Sequence, residues 1–489
     1  MKYLSNWLLE NKYLLKEVER LARKKRVKLY IVGGIIRDIL LGRRKDNPDI
    51  DFCLEKGAIN FARQASKELK SGFVVLDRAH GCARVVKKSK GRIYTLDFTD
   101  FRGKTLKDDL SHRDFGINSL AVGLEKICAL PEINHFKEFE ELLYDPCGGL
   151  KDLKEKKIRL VNKKGFDEDP LRIMRAFSLA SLLDFKIDKQ ALGLINLKKR
   201  KITSVSAERV RDEIFKMLCG RSSWDSVMKL DKLGLLDLLV PEFKPMRELN
   251  QGPYHHLDVW NHSLETFRHL ELILNNPPIS EKITPYLEEE VSYGRKRYEL
   301  LKLAALLHDI GKPRTLRMEK GKVTFHGHER TGAFMAQDIG IRFKLSNDEI
   351  KLLKSIIFAH LRPGYLADNA VLTPRAKFRF YRDTGPEAVS VLLVSLADQR
   401  ATAGRLATKD SRLRHEKLVR RLLREYFTEQ KAEKKERLLN GNDLIKQFKL
   451  KPSRVIGRLL SEIEEAQAIG RIKSKEEALR LAAKLIKKS

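Results

Sequence analysis

Two acidic residues one position apart, Asp49 and Asp51, lie in the run Asp-Ile-Asp-Phe-Cys-Leu. On a strand, residues i and i+2 share a face, so the two carboxylates would stand side by side with Ile50 turned to the core. Carboxylates that close repel each other and call for a counter-charge. Mg2+ would supply it, and such ions activate an attacking hydroxyl and stabilise a leaving pyrophosphate. A solvated Asp-x-Asp at a strand end is the plain alternative. Upstream, Gly33-Gly34 ends a short β-prone run and precedes a helical segment, Ile35–Leu41. Glycines there let the backbone approach a ligand, and a helix N-terminus favours phosphate. Downstream, Asp97 in Ile-Tyr-Thr-Leu-Asp-Phe-Thr-Asp-Phe is the candidate third carboxylate, with Asp100 as its competitor.

A second constellation lies further along: His262, the adjacent pair His308-Asp309, His328, His360 and Asp398. Imidazole and carboxylate suit borderline-to-hard divalent ions. An adjacent His-Asp at the end of an apolar helix could hold, and bridge, two metals that generate hydroxide for attack on a phosphoester. Lys312, three residues after Asp309, could neutralise phosphate. His255, His256, His269 and His326 are expected to be non-ligands.

A third group is Glu168, Asp169 and Arg172. Asp169 and Arg172 would share one face of an expected helix. A carboxylate beside a guanidinium offers a ligand an acceptor and fixed donors. A capping acid and an ordinary ion pair are the alternative. Arg175 continues the same face as a candidate phosphate contact, and the nearby Glu208, Arg209 and Arg211 read as structural supports.

These residues need elements to position them. Residues 1–25 read as an amphipathic helix. Strand-like runs follow at 28–32, Asp49–Leu54, Phe73–Asp77, Ala83–Lys88 and Ile93–Phe101, with a helix near Ala58–Leu69. The pattern turns helical from Asp152 onward. The expected class is α+β, a mixed-sheet head followed by helical regions. The expected domains are a head over 1–150, a neck over 151–248, a metal-binding helical domain over 249–410 and a basic tail over 411–489. The tail begins with a Lys/Glu-rich segment, Arg412–Arg437.

Composition narrows the partners. The chain has 489 residues, with 98 Lys and Arg against 66 Asp and Glu, a net charge of +32. That excess favours a polyanion, most often nucleic acid. Hydrophobic residues at 42% are enough for real cores, which excludes a disordered chain. The five cysteines form no Cys-x-x-Cys pair and read as reduced thiols, not a disulfide scaffold or zinc ribbon. No apolar run approaches the ~20 residues of a spanning helix. A soluble cytoplasmic protein is the expectation.

Four motifs then occur in order: GGIIRDILLG…DID, HRDFGINSLAV, YDPCGGLKDL and DEDPLRIMRAFSLA. Together they resemble the class II tRNA nucleotidyltransferase and bacterial poly(A) polymerase family over about residues 27–245. The histidine and aspartate set resembles the HD phosphohydrolase domain over about residues 250–405. The resemblance implies a polymerase-beta-like head with Mg2+ at Asp49 and Asp51. It implies triphosphate contacts from Gly33, Gly34 and Arg37, and ribose contacts from Arg113, Asp114 and Asn118. It assigns base reading to Glu168, Asp169 and Arg172. His112 stands where the family usually has the first of two arginines.

The implied substrates are tRNA, CTP and ATP, with a divalent transition metal in the HD domain. The leading expectation is addition of CCA to tRNA 3′ ends, with phosphohydrolase activity in the HD domain. CC-only addition, A addition, poly(A) synthesis, and an RNA-binding phosphohydrolase with an inactive head are the alternatives. The short stretch before Arg113 resembles members that add CC alone.

Overall fold

A computed structural model describes residues 2–43, 47–89, 91–130, 136–369, 371–429 and 436–487. The fold is α+β and divides into two compact units, Met1–Gly220 and Arg221–Ser489.

In the first unit, alternating apolar residues build one sheet of six strands. These are β1 (Tyr30–Val32), β2 (Asp49–Leu54), β3 (Gly72–Asp77), β4 (Cys82–Ser89), β5 (Arg92–Asp100) and β6 (Ala121–Gly123). Their order is β3-β4-β5-β2-β1-β6. Only the central pair β2–β5 is parallel. Every second side chain of that pair faces the core: Ile50, Phe52, Leu96 and Phe98 are buried. Phe52 stacks on Phe98 with ring centroids 5.0 Å apart, and Phe61 of the Ala58–Glu68 helix closes over them. The intervening residues, Asp49, Asp51 and Asp97 among them, are left on the open face. Five strands and the helix Lys2–Lys25 match the sequence reading. The sixth strand, three residues that begin with the last two of the HRDFGINSLAV motif, is too short to show a period of two.

The rest of this unit is mainly helical. The helices Arg172–Leu183 and Ala207–Cys219 pack together through small polar residues. Ser181 donates to the carbonyl of Met217 at 2.7 Å, and Ser178 bonds the buried carboxylate of Glu213.

The second unit is mainly helical, with two short two-stranded sheets. The helices Val259–Asn275, Arg297–Leu307, His328–Arg342, Asn347–Ala359 and Ala388–Ala401 carry its polar centre. Ala388–Ala401, which contains the longest apolar run of the sequence at about Ala388–Ala397, is buried along nearly its whole length. No helix among the described residues is long and apolar enough to cross a membrane. The expected Lys/Glu-rich segment is helical over Lys409–Glu429, and its residues 430–435 lie outside the described set. The final helices pack a small core of their own around Leu444, Leu459 and Ile463.

One buried ion pair ties together the two helices that bring His262 and His308 to the centre. Glu271 accepts from Lys302 Nζ at 2.9 Å and from the backbone amides of Ser223 and Trp224 at 2.8 and 3.1 Å. Both charged residues are under 7% exposed. Removing one partner of such a pair leaves a buried charge poorly compensated, at a cost of about 3 kcal/mol or more. Glu271→Ala is therefore expected to lower the urea midpoint of the second unit sharply, whereas the isosteric Glu271→Gln lowers it less. Equal midpoints for Glu271→Ala and the wild type would refute this.

Candidate functional site

The head site begins at the turn after β1. Gly33 has φ +81°, a conformation that favours glycine. A Cβ there would lie 3.0 Å from Asp51 Oδ2 and 3.2 Å from Arg113 Nη1. The turn thus presses its backbone against the carboxylate expected to hold metal. Burial pushes the Asp51 carboxyl up to about 6. Arg113 pulls it down, Asp97 and Asp49 push it further up, and Arg175 pulls it down. Asp97 lies directly opposite Asp51 in the sheet. Both its oxygens are held at 2.8 Å by Arg84 Nε and Nη2, from β4.

The expected ribose and phosphate residues form one linked set. Arg37 is buried, donates to Asp38 Oδ1 at 3.0 and 2.8 Å, and reaches Asn118 Oδ1 at 2.6 Å. It braces the glycine turn from beneath, because a Cβ on Gly34 would meet its Nη2 at 3.2 Å. Asp114 accepts from the Phe115 amide at 2.8 Å and Asn118 Nδ2 at 3.1 Å, and pairs with Arg175 Nε at 3.0 Å. Arg113 is held by Asp109 at 3.1–3.2 Å. The expectation for Arg175 is thereby sharpened: it sits on the carboxylate of the ribose motif.

The expectation that Asp169 and Arg172 share a helix face is corrected. The helix begins only at Arg172, and Asp169 is extended, with φ −144° and ψ 99°. Pro170 is the physical reason, since the residue before a proline is driven out of the helical region. Asp169 instead faces Arg209, at 3.0 and 3.3 Å. Arg172 turns to the His112 carbonyl at 2.7 Å and to Glu168 at 3.3 Å. Sequence reading therefore missed Arg209 as a partner of the candidate base reader. It also missed Arg84, which stands opposite Asp97 in strand register.

The second unit gathers the other constellation. His308 and Asp309 follow the Arg297–Leu307 helix, His328 opens the His328–Arg342 helix, and His360 follows Asn347–Ala359. Asp309 is shared between two sides. Its Oδ2 lies 3.2 Å from His308 Nε2 and 3.8 Å from His262 Nε2. Its Oδ1 lies 3.3 Å from His328 Nε2 and 3.8 Å from His360 Nε2. Asp398 closes the first side, 2.9 Å from His262 and 3.9 Å from His308. Three of the rings are oriented alike: the Nδ1 atoms of His308, His328 and His360 meet the carbonyls of Ala305, Phe325 and Ile357 at 2.6–2.9 Å. That contact fixes the proton on Nδ1 and turns the Nε2 lone pair to the centre.

The donor set fits divalent cations. Three groups of ligand atoms lie within 4.8 Å of one another: His262–His308–Asp309, His308–His360–Asp398 and Asp309–His328–His360. Among the described residues, the buried Nε2 atoms of His308, His328 and His360 have no hydrogen-bond partner, a cost that a metal would remove. Burial, with His308 and His328 beside it, lowers His360 to about 3, so that it stays neutral as a ligand must. Lys312 is buried and bonded to Asp309 Oδ2 and Gln251 Oε1, both at 2.6 Å, so it serves Asp309 first. His255, set aside at the sequence level, stacks edge-on against His262 with centroids 4.6 Å apart. Among the described residues the head holds no comparable three-ligand group. Its Asp49–Asp51 pair suits Mg2+, which is usually held by one or two carboxylates together with substrate phosphates.

Known proteins carry these parts in the same order. Residues 29–159 match the poly A polymerase head domain, and 184–247 the probable RNA and SrmB-binding site of polymerase A. Residues 259–403 match the HD domain, and 388–483 a putative tRNA nucleotidyltransferase domain 2. An A-adding tRNA nucleotidyltransferase of Deinococcus radiodurans is 30% identical over 92% of this chain and 93% of its own. The chain belongs to the tRNA nucleotidyltransferase and poly(A) polymerase family. It is a nucleotidyltransferase with an HD domain attached. A CC-adding tRNA nucleotidyltransferase of Geobacter sulfurreducens is 29% identical over 96% of this chain and 94% of its own. In fold, the chain resembles a CCA-adding enzyme in complex with ATP, with a TM-score of 0.63 over 99% of this chain and 98% of that one, at 22% identity. It likewise resembles the Thermotoga maritima CCA-adding enzyme complexed with tRNA, with a TM-score of 0.60 over 97% and 95%, also at 22% identity.

The raised Asp51 carboxyl sets a pH dependence. The protonated form cannot bind metal, so divalent-ion affinity in the nucleotidyltransferase head should be constant above pH 7. Below about pH 6 it should fall about tenfold per pH unit. Mn2+ titration of the protein followed by electron paramagnetic resonance, with the HD centre disabled by Asp309→Ala, reads this directly. A flat affinity from pH 7.5 to 5 would contradict it.

Proposed function

We propose that the protein adds nucleotides of the CCA end to the 3′ terminus of tRNA, from CTP, ATP or both, and without a template. The observation that carries this reading is the convergence of Asp51 and Arg113 on the glycine turn, where a Cβ on Gly33 would lie 3.0 Å from Asp51 Oδ2 and 3.2 Å from Arg113 Nη1. In that reading Asp49 and Asp51 would hold magnesium, which neutralises charge on the transferring phosphate. The Gly34 amide and Arg113 receive the triphosphate, while the Gly33 amide donates to the Leu120 carbonyl at 3.3 Å. Asp114, oriented by Asn118 and Arg175, accepts from the ribose. Asp169, aimed by Arg209, and Arg172 present an acceptor and donors to the base edge, in place of a template. The +32 net charge supports a tRNA partner through phosphate contacts that ignore sequence.

Two observations favour a division of the work, with this chain adding CC. Relatives similar along more than nine-tenths of both chains are named for CC or A addition, whereas a CCA-adding relative in Lactococcus lactis matches over 60% of this chain. Only five residues separate β5 from the helix Leu106–Ser111 that leads to Arg113. The similarity to the Deinococcus A-adding relative is the specific ground for A addition as the second reading.

Labelled tRNA lacking its CCA end, incubated with Mg2+ and CTP, ATP or both, distinguishes these outcomes. CC addition extends tRNA by two nucleotides with CTP alone. Three with both supports complete CCA synthesis, and extension of tRNA already ending in CC by ATP supports A addition. Long A tails would sink the tRNA reading. Asp49→Ala and Asp51→Ala are each expected to lower the extension rate by at least about 10³-fold. Full activity in either would remove the carboxylate pair from the chemistry.

For the HD centre, the proposal is metal-dependent hydrolysis of phosphoesters at RNA 3′ ends. Asp309 would bridge two ions, one with His262, His308 and Asp398 and one with His328 and His360. Water attack on a 2′,3′-cyclic phosphate that breaks the 3′ O–P bond would leave a 2′-phosphate and a free 3′ hydroxyl for addition. His308→Ala and His360→Ala should lose bound transition metal, read by mass spectrometry, and lose cyclic-phosphate hydrolysis while extension of intact tRNA persists. Hydrolysis that survives both substitutions would refute it.

A further inference from the structure

One row of side chains runs across the open face of the head sheet. Asp51 on β2 is in register with Asp97 on β5, Asp97 with Arg84 on β4, and Arg84 with Val74 on β3. Residues directly opposite in register share a face. The row therefore leads from the carboxylate pair to the edge of the sheet. Arg84 gives Nε and Nη2 to Asp97 and keeps Nη1 without a partner among the described residues. Its side chain is 41% exposed. Asp97 stands between Arg84 and Asp51 in the register, so the guanidinium lies two strands along the same row from the expected metal pair. Beside it, Val74 is an exposed apolar residue, 50% accessible.

The strand order gives this arginine a direction. The Gly33-Gly34 turn and Arg113 lie on the β1 side of the carboxylate pair, whereas β5 and β4 lie on the other. In-line phosphoryl transfer puts the attacking oxygen and the leaving pyrophosphate on opposite sides of the α-phosphorus. With the triphosphate on the glycine side, the RNA end that supplies the attacking 3′ hydroxyl falls on the Arg84 side. A planar guanidinium anchored through two nitrogens, with the third offered outward, is suited to a phosphodiester oxygen.

We propose that Arg84 binds the phosphodiester backbone at the RNA 3′ end, and that Asp97 acts by holding Arg84 rather than as a third metal ligand. Val74 gives the adjoining nucleoside an apolar surface. The inference rests on the nucleotidyl-transfer reading above.

The test uses the full chain and tRNA lacking its CCA end. Binding is measured by fluorescence anisotropy across a salt series, and extension with either tRNA or CTP varied. Arg84→Gln should weaken tRNA binding and raise the tRNA KM about tenfold or more. It should also make the log–log salt dependence shallower by about one. The CTP KM should stay within about twofold of wild type. Arg84→Lys should fall between, and Asp97→Asn should shift tRNA binding in the same direction while leaving Mn2+ binding by the head intact. Unchanged tRNA affinity and salt slope in Arg84→Gln, or a defect confined to the CTP KM, would overturn the assignment. So would loss of Mn2+ binding in Asp97→Asn. Absence of extension by the wild type would instead count against the nucleotidyl-transfer reading, because anisotropy reads Arg84 without any transfer.

Discussion

Like charges held close together in a half-dry place dominate both polar centres of this protein. In the head, Asp49, Asp51 and Asp97 share one sheet face, and burial raises the Asp51 carboxyl to about 6. Much of the surroundings answers that repulsion. Arg84 covers Asp97, Arg113 approaches Asp51 across a glycine turn, and Arg175 neutralises Asp114 one layer away. In the second unit, Asp309 and Asp398 are pushed up by burial and held well down by the histidines around them. The apolar elements behind each cluster are stiff enough to keep these groups together: the stacked Phe52–Phe98 pair in the head, and the buried Ala388–Ala401 helix in the other unit.

The two centres answer the same problem with different ligands. The head offers oxygens from two neighbouring strand positions and leaves room for phosphate oxygens, as a hard ion requires. The second unit surrounds its carboxylates with imidazoles whose protons are fixed by backbone carbonyls, an environment for softer ions. Bringing His262 and His308 together requires the buried Glu271–Lys302 pair between their helices, so packing far from the ligands holds the centre in shape.

Much of this was legible in the sequence because it depends on short periods. Asp49 and Asp51 follow from the two-residue repeat of a strand, and the first five strands from alternating apolar residues. The His-Asp pair at the end of an apolar helix was similarly visible. Other features depended on pairings between distant segments, which no local pattern records. Arg84 meets Asp97 only through strand register, and Arg209 meets Asp169 across two helices. His255 was set aside as a non-ligand, because a histidine in a loop carries no periodic signal, yet it packs on His262. The Asp169–Arg172 face was misread for a local reason that was in view: Pro170 stops the helix from including Asp169.

That break before Arg172 has a consequence for how such proteins diverge. Asp169 takes its orientation from an arginine on a separate helix, and that helix is set in place by Ser178, Ser181 and Glu213. The angle of the carboxylate is therefore adjustable from the interior, by substitutions that never meet a nucleotide. Under the proposed reading of Asp169, two proteins can carry the same residues at the base and still differ in which base they accept or when they stop. Discrimination in such a design is a property of helix packing, inherited through the core as much as through the motif.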